Sequence, residues 1–190
     1  SSMLVLFLYN LFFCLILKAK SYFIFLGVIF FWTFSSLLWL TLSHFDFSKI
    51  GFSFSAIVTT ILYLFFIKEL LDLKEKDSKL DKLSNYFLII LGIIFFMSPF
   101  LNKYSIYLSW LCISIIFLFI SFALSRIKYS DNFKILIYAF SFLAIGILTS
   151  YYFGIEVLFA CVSIHFLILS IAPLNKIKMR MGQEIKEEKE

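Results

Sequence analysis

Charge is what this sequence has least of: 15% of its 190 residues are charged, against 62% hydrophobic and 21% aromatic. A soluble domain of this size hides its apolar residues behind a charged surface, and so few charges, bunched in clusters, cannot supply that cover. The solvent for the apolar surface is therefore lipid. Ionisable groups are nearly missing from the apolar runs themselves: Glu156 sits at the start of the last run and only His165 lies well inside one. An intramembrane ionisable group is a functional-site hypothesis by default. Without paired carboxylates, an arginine ladder or a lysine in any run, the sequence excludes ion-coupled pumps, voltage sensors and retinal-type Schiff bases.

Cysteine and histidine are equally sparse. Cys14, Cys112 and Cys161 stand singly in separate apolar runs with no CxxC spacing, so they read as small packing residues. Two histidines, His44 and His165, cannot supply a metal site or a nucleophile with its base. No Gly-rich phosphate loop is present. The sequence thus predicts no catalysis within the chain and implies no cofactor and no metal. The net charge of +5 comes from basic residues placed in gaps between apolar runs, not from a continuous stripe, which argues against nucleic acid.

What is there is a series of uncharged runs of membrane-crossing length. Seven are expected, near 3–17, 21–42, 50–67, 83–101, 104–124, 133–153 and 155–174. They are continuously apolar instead of alternating, and lipid cannot satisfy unpaired backbone groups, so the expected fold is all-α, an integral membrane seven-helix bundle. The first run is short, with about 15 apolar residues where about 20 are needed, and reads as clipped from a longer protein. Fifteen of the seventeen Lys and Arg residues fall after odd-numbered spans or on the tail, leaving only Lys49 and Lys103 on the other side. The positive-inside rule then puts the amino terminus outside and the carboxyl terminus in the cytoplasm. Trp39, Tyr104, Tyr107, Trp110, Tyr151 and Tyr152 fall at outer ends and Tyr22, Tyr86 and Tyr129 at inner ones, as interfacial aromatics do.

The longest inner loop is dense in charge: ten of the fifteen positions from Lys68 to Lys82 are ionisable. Leu70, Leu71 and Leu73 continue the apolar pattern of the third span, and Glu75 and Lys79 stand four apart in the order that supports a helix. The loop is either a solvated connector that holds topology or a surface for a cytoplasmic partner. Among buried polar residues, Tyr9 and Asn10 in the first span and His165 in the last are candidates for interhelical contacts or a pocket, with Trp32 a packing or pocket-wall residue. Ser55, Thr59, Thr60, Ser114, Ser121 and Ser141 are expected to bond within their own helices or to admit close helix packing. Residues 175–190 are expected to be either a linker helix, with Leu174, Ile177, Met181 and Ile185 at coiled-coil spacing that would favour a homodimer, or a basic and then acidic solvated tail.

The order of these features resembles the membrane domain of bacterial seven-transmembrane receptors with diverse intracellular signalling modules. The likeness rests on Tyr9-Asn10 in span one, on Lys20-Ser21-Tyr22 at the first inner turn, and on Leu70, Leu71 and Leu73 after span three. In the closing "HFLILSIAPLNKI" it rests on Leu169, Ser170, Ala172 and Ile177. His165 stands where the family has a glutamate, Asn175 and Lys176 replace its acid and arginine, and Pro173 falls inside the run, where it is expected to kink the output helix. The resemblance implies a relay in the bacterial inner membrane, with a periplasmic sensory domain before the helices and a cytoplasmic effector after them. Lys68, Glu69 and Asp72 on the loop, with Lys176 and Arg180 on the tail, are then the coupling residues. A small-molecule or lipid transporter is the competing reading, weakened by the lack of an internal repeat; a structural subunit of a membrane complex is another.

Overall fold

The computed structural model describes residues 2–17, 20–42, 46–98, 100, 104–126, 131–153 and 155–187. Among them the secondary structure is helical throughout: α1 (Ser2–Leu17), α2 (Lys20–Leu42), α3 (Asp46–Leu71), α4 (Leu73–Lys76), α5 (Ser78–Met97), α6 (Ser105–Arg126), α7 (Asp131–Phe153) and α8 (Ile155–Glu187). Each of the seven apolar runs falls mainly on one long helix, the run near 83–101 continuing past the end of α5 at Met97. The exception to the simple count is α4, a single turn inside the charged loop.

The chain divides into two compact units, residues 13–126 and residues 1–12 with 127–190. In the first unit α3 is the central element, packed against α2, α5 and α6. Apolar burial explains the choice: Ile57, Leu64, Phe66 and Ile67 of α3 are fully buried, as are Phe25, Val28 and Ile29 of α2. Phe25 stacks on Phe66 with ring centroids 4.9 Å apart. Close approach of α2 to α3 uses Gly27, where an added Cβ would lie 3.2 Å from Leu62 Cδ1. Across α3 and α6, Cys112 makes a side-chain hydrogen bond with Thr60, and Phe119 of α6 meets Phe87 of α5 edge-on at 6.1 Å. Two hydroxyls of α3 also bond back into their own helix, Thr59 Oγ1 donating to Ser55 O at 2.7 Å and Thr60 Oγ1 to Ala56 O at 2.9 Å. Ser141 on α7 does the same toward Ile137 O at 2.8 Å; the Ser121 side chain lies outside the described set.

In the second unit α7 and α8 pack side by side. Leu136, Ala139 and Phe140 of α7 and Val162, Phe166, Leu169 and Ala172 of α8 are buried. Small residues at Ala139 and Ala172 allow close approach, the common device of helix pairs in lipid.

Two described stretches are long and apolar enough to cross a membrane, Phe54–Leu71 and Ser78–Met97, while shorter apolar stretches fall in α1, α2, α7 and α8. The two differ in surroundings. The α3 stretch is 56% buried, whereas the α5 stretch is only 17% buried, so α5 turns Ile89, Ile93 and Phe96 outward at 59%, 60% and 76% exposure. A soluble core helix does not look like this; lipid-facing surface does.

Candidate functional site

The charged stretch after α3 is a tightly folded turn, not an extended connector. Helix α3 stops at Leu71 because Asp72 adopts the left-handed conformation (φ 51°, ψ 45°), the usual way to end a helix and one that Asp tolerates better than most residues. After the single turn of α4, Asp77 is extended and caps α5, its Oδ1 accepting from the backbone N–H of Lys79 at 2.9 Å and of Leu80 at 3.1 Å. Leu70, Leu71, Leu73 and Leu80 are all buried, so the turn has its own apolar anchor. The two breaks correct one expectation. Glu75 and Lys79 do not face each other as an i,i+4 pair, because extended Asp77 lies between them and places one on α4 and the other on α5.

Ion pairs tie the turn to its neighbours. Lys68 Nζ lies 3.1 Å from Asp81 Oδ1 and donates to Asn85 Oδ1 at 2.6 Å, and Asn85 Nδ2 donates back to Asp81 Oδ2 at 3.4 Å. This closed triangle links α3 to α5. Lys20 Nζ of α2 lies 3.6 Å from Glu69 Oε2, and Arg126 Nη1 at the end of α6 lies 3.7 Å from Asp77 Oδ1. Asp72 pairs within the turn, with Lys76 Nζ at 3.9 Å. The Lys68–Asp81 pair is the strongest of these, since both side chains are only about one-fifth exposed, at 19% and 20%. Of the expected coupling residues, then, Lys68, Glu69 and Asp72 each have an intramolecular ion partner. Lys176 and Arg180 lie on α8, with side chains outside the described set.

The second cluster surrounds His165, which is buried on α8. Its Nδ1 lies 2.7 Å from the carbonyl oxygen of Ala139 on α7; an acceptor there requires the proton on Nδ1. Phe140 and Phe166 meet the imidazole edge-on, at centroid distances of 5.0 and 5.3 Å. The cross-helix bond and the aromatic walls fix the ring between α7 and α8. Eight residues further on, Pro173 is buried inside α8. Without an N–H it cannot complete the helix bond to the carbonyl of Leu169, yet the helix runs on to Glu187.

The other polar candidates are placed differently from one another. Asn10 is fully buried, but Tyr9 is 42% exposed. Adjacent helix residues point about 100° apart, so the pair cannot share one face. This corrects the reading of Tyr9 as a buried polar group. Trp32 is half-buried on α2. Tyr22, read as an inner interfacial aromatic, is instead fully buried, while Tyr86, Tyr104, Tyr107 and Tyr152 are exposed. His44 and Tyr129 lie outside the described residues, as do the side chains of Trp39, Trp110, Tyr151 and Glu156. Sequence reasoning missed Asp77, Asp81, Asn85 and Arg126 as partners. Asp77 followed by a helical run was the one local signal, since Asp is a favoured N-cap. Among the described residues no group of three or more His, Cys, Asp or Glu side chains is placed to hold a metal ion.

A protein-family profile described as 7TM diverse intracellular signalling matches residues 1–174. The chain belongs to this family. None of the curated proteins and no solved structure matches it. Membership and the apolar helices make this 7TM diverse intracellular signalling protein a membrane signalling domain of the receptor type. The family is one of receptor domains and not a known catalytic one.

Proposed function

We propose that the chain is the signal-transmitting membrane domain of a bacterial receptor. In this reading seven helices cross the cytoplasmic (inner) membrane, with the amino terminus outside and the charged α3–α5 turn and α8 tail in the cytoplasm. A periplasmic sensory domain supplies the stimulus, a cytoplasmic effector receives it, and any catalysis belongs to that effector. The family match over residues 1–174 carries the reading. A stimulus can shift the inner end only as far as it stabilises one of two helix arrangements over the other. The α7–α8 pair is suited to that task, because His165 bonds α8 to the Ala139 carbonyl of α7 and Pro173 interrupts the helix ladder eight residues later. Asn10, buried on α1, serves as a second interhelical polar contact.

Pro173→Ala in the full-length receptor tests the output role. The substitution restores the missing backbone bond, and effector activity is expected to lose its dependence on stimulus while the protein stays in the membrane at normal levels. Unchanged stimulus dependence would remove Pro173 from the pathway.

A further inference from the structure

By composition the segment from Lys68 to Lys82 is neutral, with five basic and five acidic residues. The fold does not present it that way. Glu69, Asp72, Asp77 and Asp81 are each engaged by a cation, respectively Lys20, Lys76, Arg126 and Lys68. Two of those cations, Lys20 and Arg126, come from outside the segment and consume acids that would otherwise balance its lysines. Lys74, Lys79 and Lys82 are exposed and have no ion pair among the described residues, with only Glu75 of the segment's acids outside the pairs. Three outward lysines against one outward carboxylate make the surface of the turn basic.

Where two of these lysines sit matters as much. Lys79, Lys82, Tyr86, Ile89 and Ile93 follow one another on α5 at spacings of three, four, three and four, and so share one helix face. All five are exposed. The opposite face, Leu80, Ser84 and Leu91, is buried. At about 1.5 Å per residue, Tyr86 lies roughly 6 Å along the helix from Lys82 and Ile93 roughly 16 Å. The outward face of α5 therefore carries cations at one end, an aromatic hydroxyl next, and bare hydrocarbon beyond. Lysine stems lie along such a face with the ammonium at headgroup depth.

We infer that the α4–α5 turn binds the phosphate of an anionic phospholipid of the inner leaflet, with Lys79, Lys82 and Lys74 as the cations and the acyl chains lying along Tyr86, Ile89 and Ile93. The inference rests on the proposed orientation, which puts this end at the anionic cytoplasmic leaflet. Phosphatidylglycerol is the chosen probe.

The test uses the detergent-solubilised chain titrated with dioctanoyl phosphatidylglycerol, dioctanoyl phosphatidylcholine or inorganic phosphate, with thermal stability as readout. Phosphatidylglycerol alone is expected to raise Tm. The apparent Kd rises about fivefold for each lysine removed in Lys79→Gln and in Lys79→Gln/Lys82→Gln. Glu75→Gln shifts it in the opposite direction, and because all three positions are exposed the variants share the lipid-free Tm. An unchanged Kd in the double variant, an equal response to phosphatidylcholine, or an equal response to inorganic phosphate would overturn the headgroup site. A parallel reconstitution separates the two levels: failure of the wild-type chain to insert into neutral phosphatidylcholine vesicles sinks the membrane reading itself, whereas insertion without the phosphatidylglycerol effect sinks only the site.

Discussion

Asp72 shows how one residue's backbone sets the course of the chain. Its φ of 51° is open to glycine at no steric cost, tolerable for Asp, and unfavourable for β-branched residues. Asp72→Gly is therefore expected to keep stability within about 1 kcal/mol, with the loose pair to Lys76 lost, whereas Asp72→Val costs about 1–2 kcal/mol or more. Chemical denaturation in mixed micelles measures both. Nothing in the local sequence marks Asp72 as left-handed and Asp77 as extended, because both are single acids in a charged run; the difference lies in backbone angles that side-chain type only weakly constrains. The same limit applies to Tyr9 and Asn10. An apolar run that is hydrophobic all round offers no moment to say which face turns inward, so the burial of Asn10 was legible from its amide and the exposure of Tyr9 was not.

Element by element, long helices were the most legible feature, since uncharged runs of hydrocarbon length separated by Lys, Arg and Asp leave few other solutions. The charged loop was legible as charge and as partly helical, but its partition into the end of α3, the turn α4 and the start of α5 was not. That partition depends on a cap. Asp77 both accepts two backbone N–H bonds and pairs with Arg126, and substitution separates the two roles. Asp77→Asn keeps an acceptor at the cap and is expected to cost no more than a few tenths of a kcal/mol from the exposed ion pair. Asp77→Ala loses the cap as well and costs about 1 kcal/mol. Equal losses in the two variants, measured by the same unfolding assay, would show that charge and not capping holds α5 in place. The cross-helix partners Lys20, Asp81, Asn85 and Arg126 lie 13 to 49 positions from their counterparts, beyond the reach of any local pattern.

For the whole molecule, the lopsided distribution of Lys and Arg makes a directional prediction. In a background with Cys14, Cys112 and Cys161 replaced by alanine, a Ser78→Cys variant is expected to react with an impermeant maleimide in inverted membrane vesicles but not in intact spheroplasts, and Tyr104→Cys to show the reverse. Labelling of both from the same side would end the seven-span topology. Family membership was readable from short motifs in order, Tyr9-Asn10 through Leu169-Ser170, although each motif alone is degenerate; the pairing of α7 with α8 through His165 and Ala139 was not, because a backbone carbonyl has no sequence signature. Helix α8 has one more consequence. Its 33 residues make a rod about 50 Å long, with Pro173 about 21 Å from the end at Glu187. An α-helix is stiff along its axis, so a pivot of about 10° at the proline swings that end through about 4 Å, a lever whose throw grows with every residue of helix beyond it.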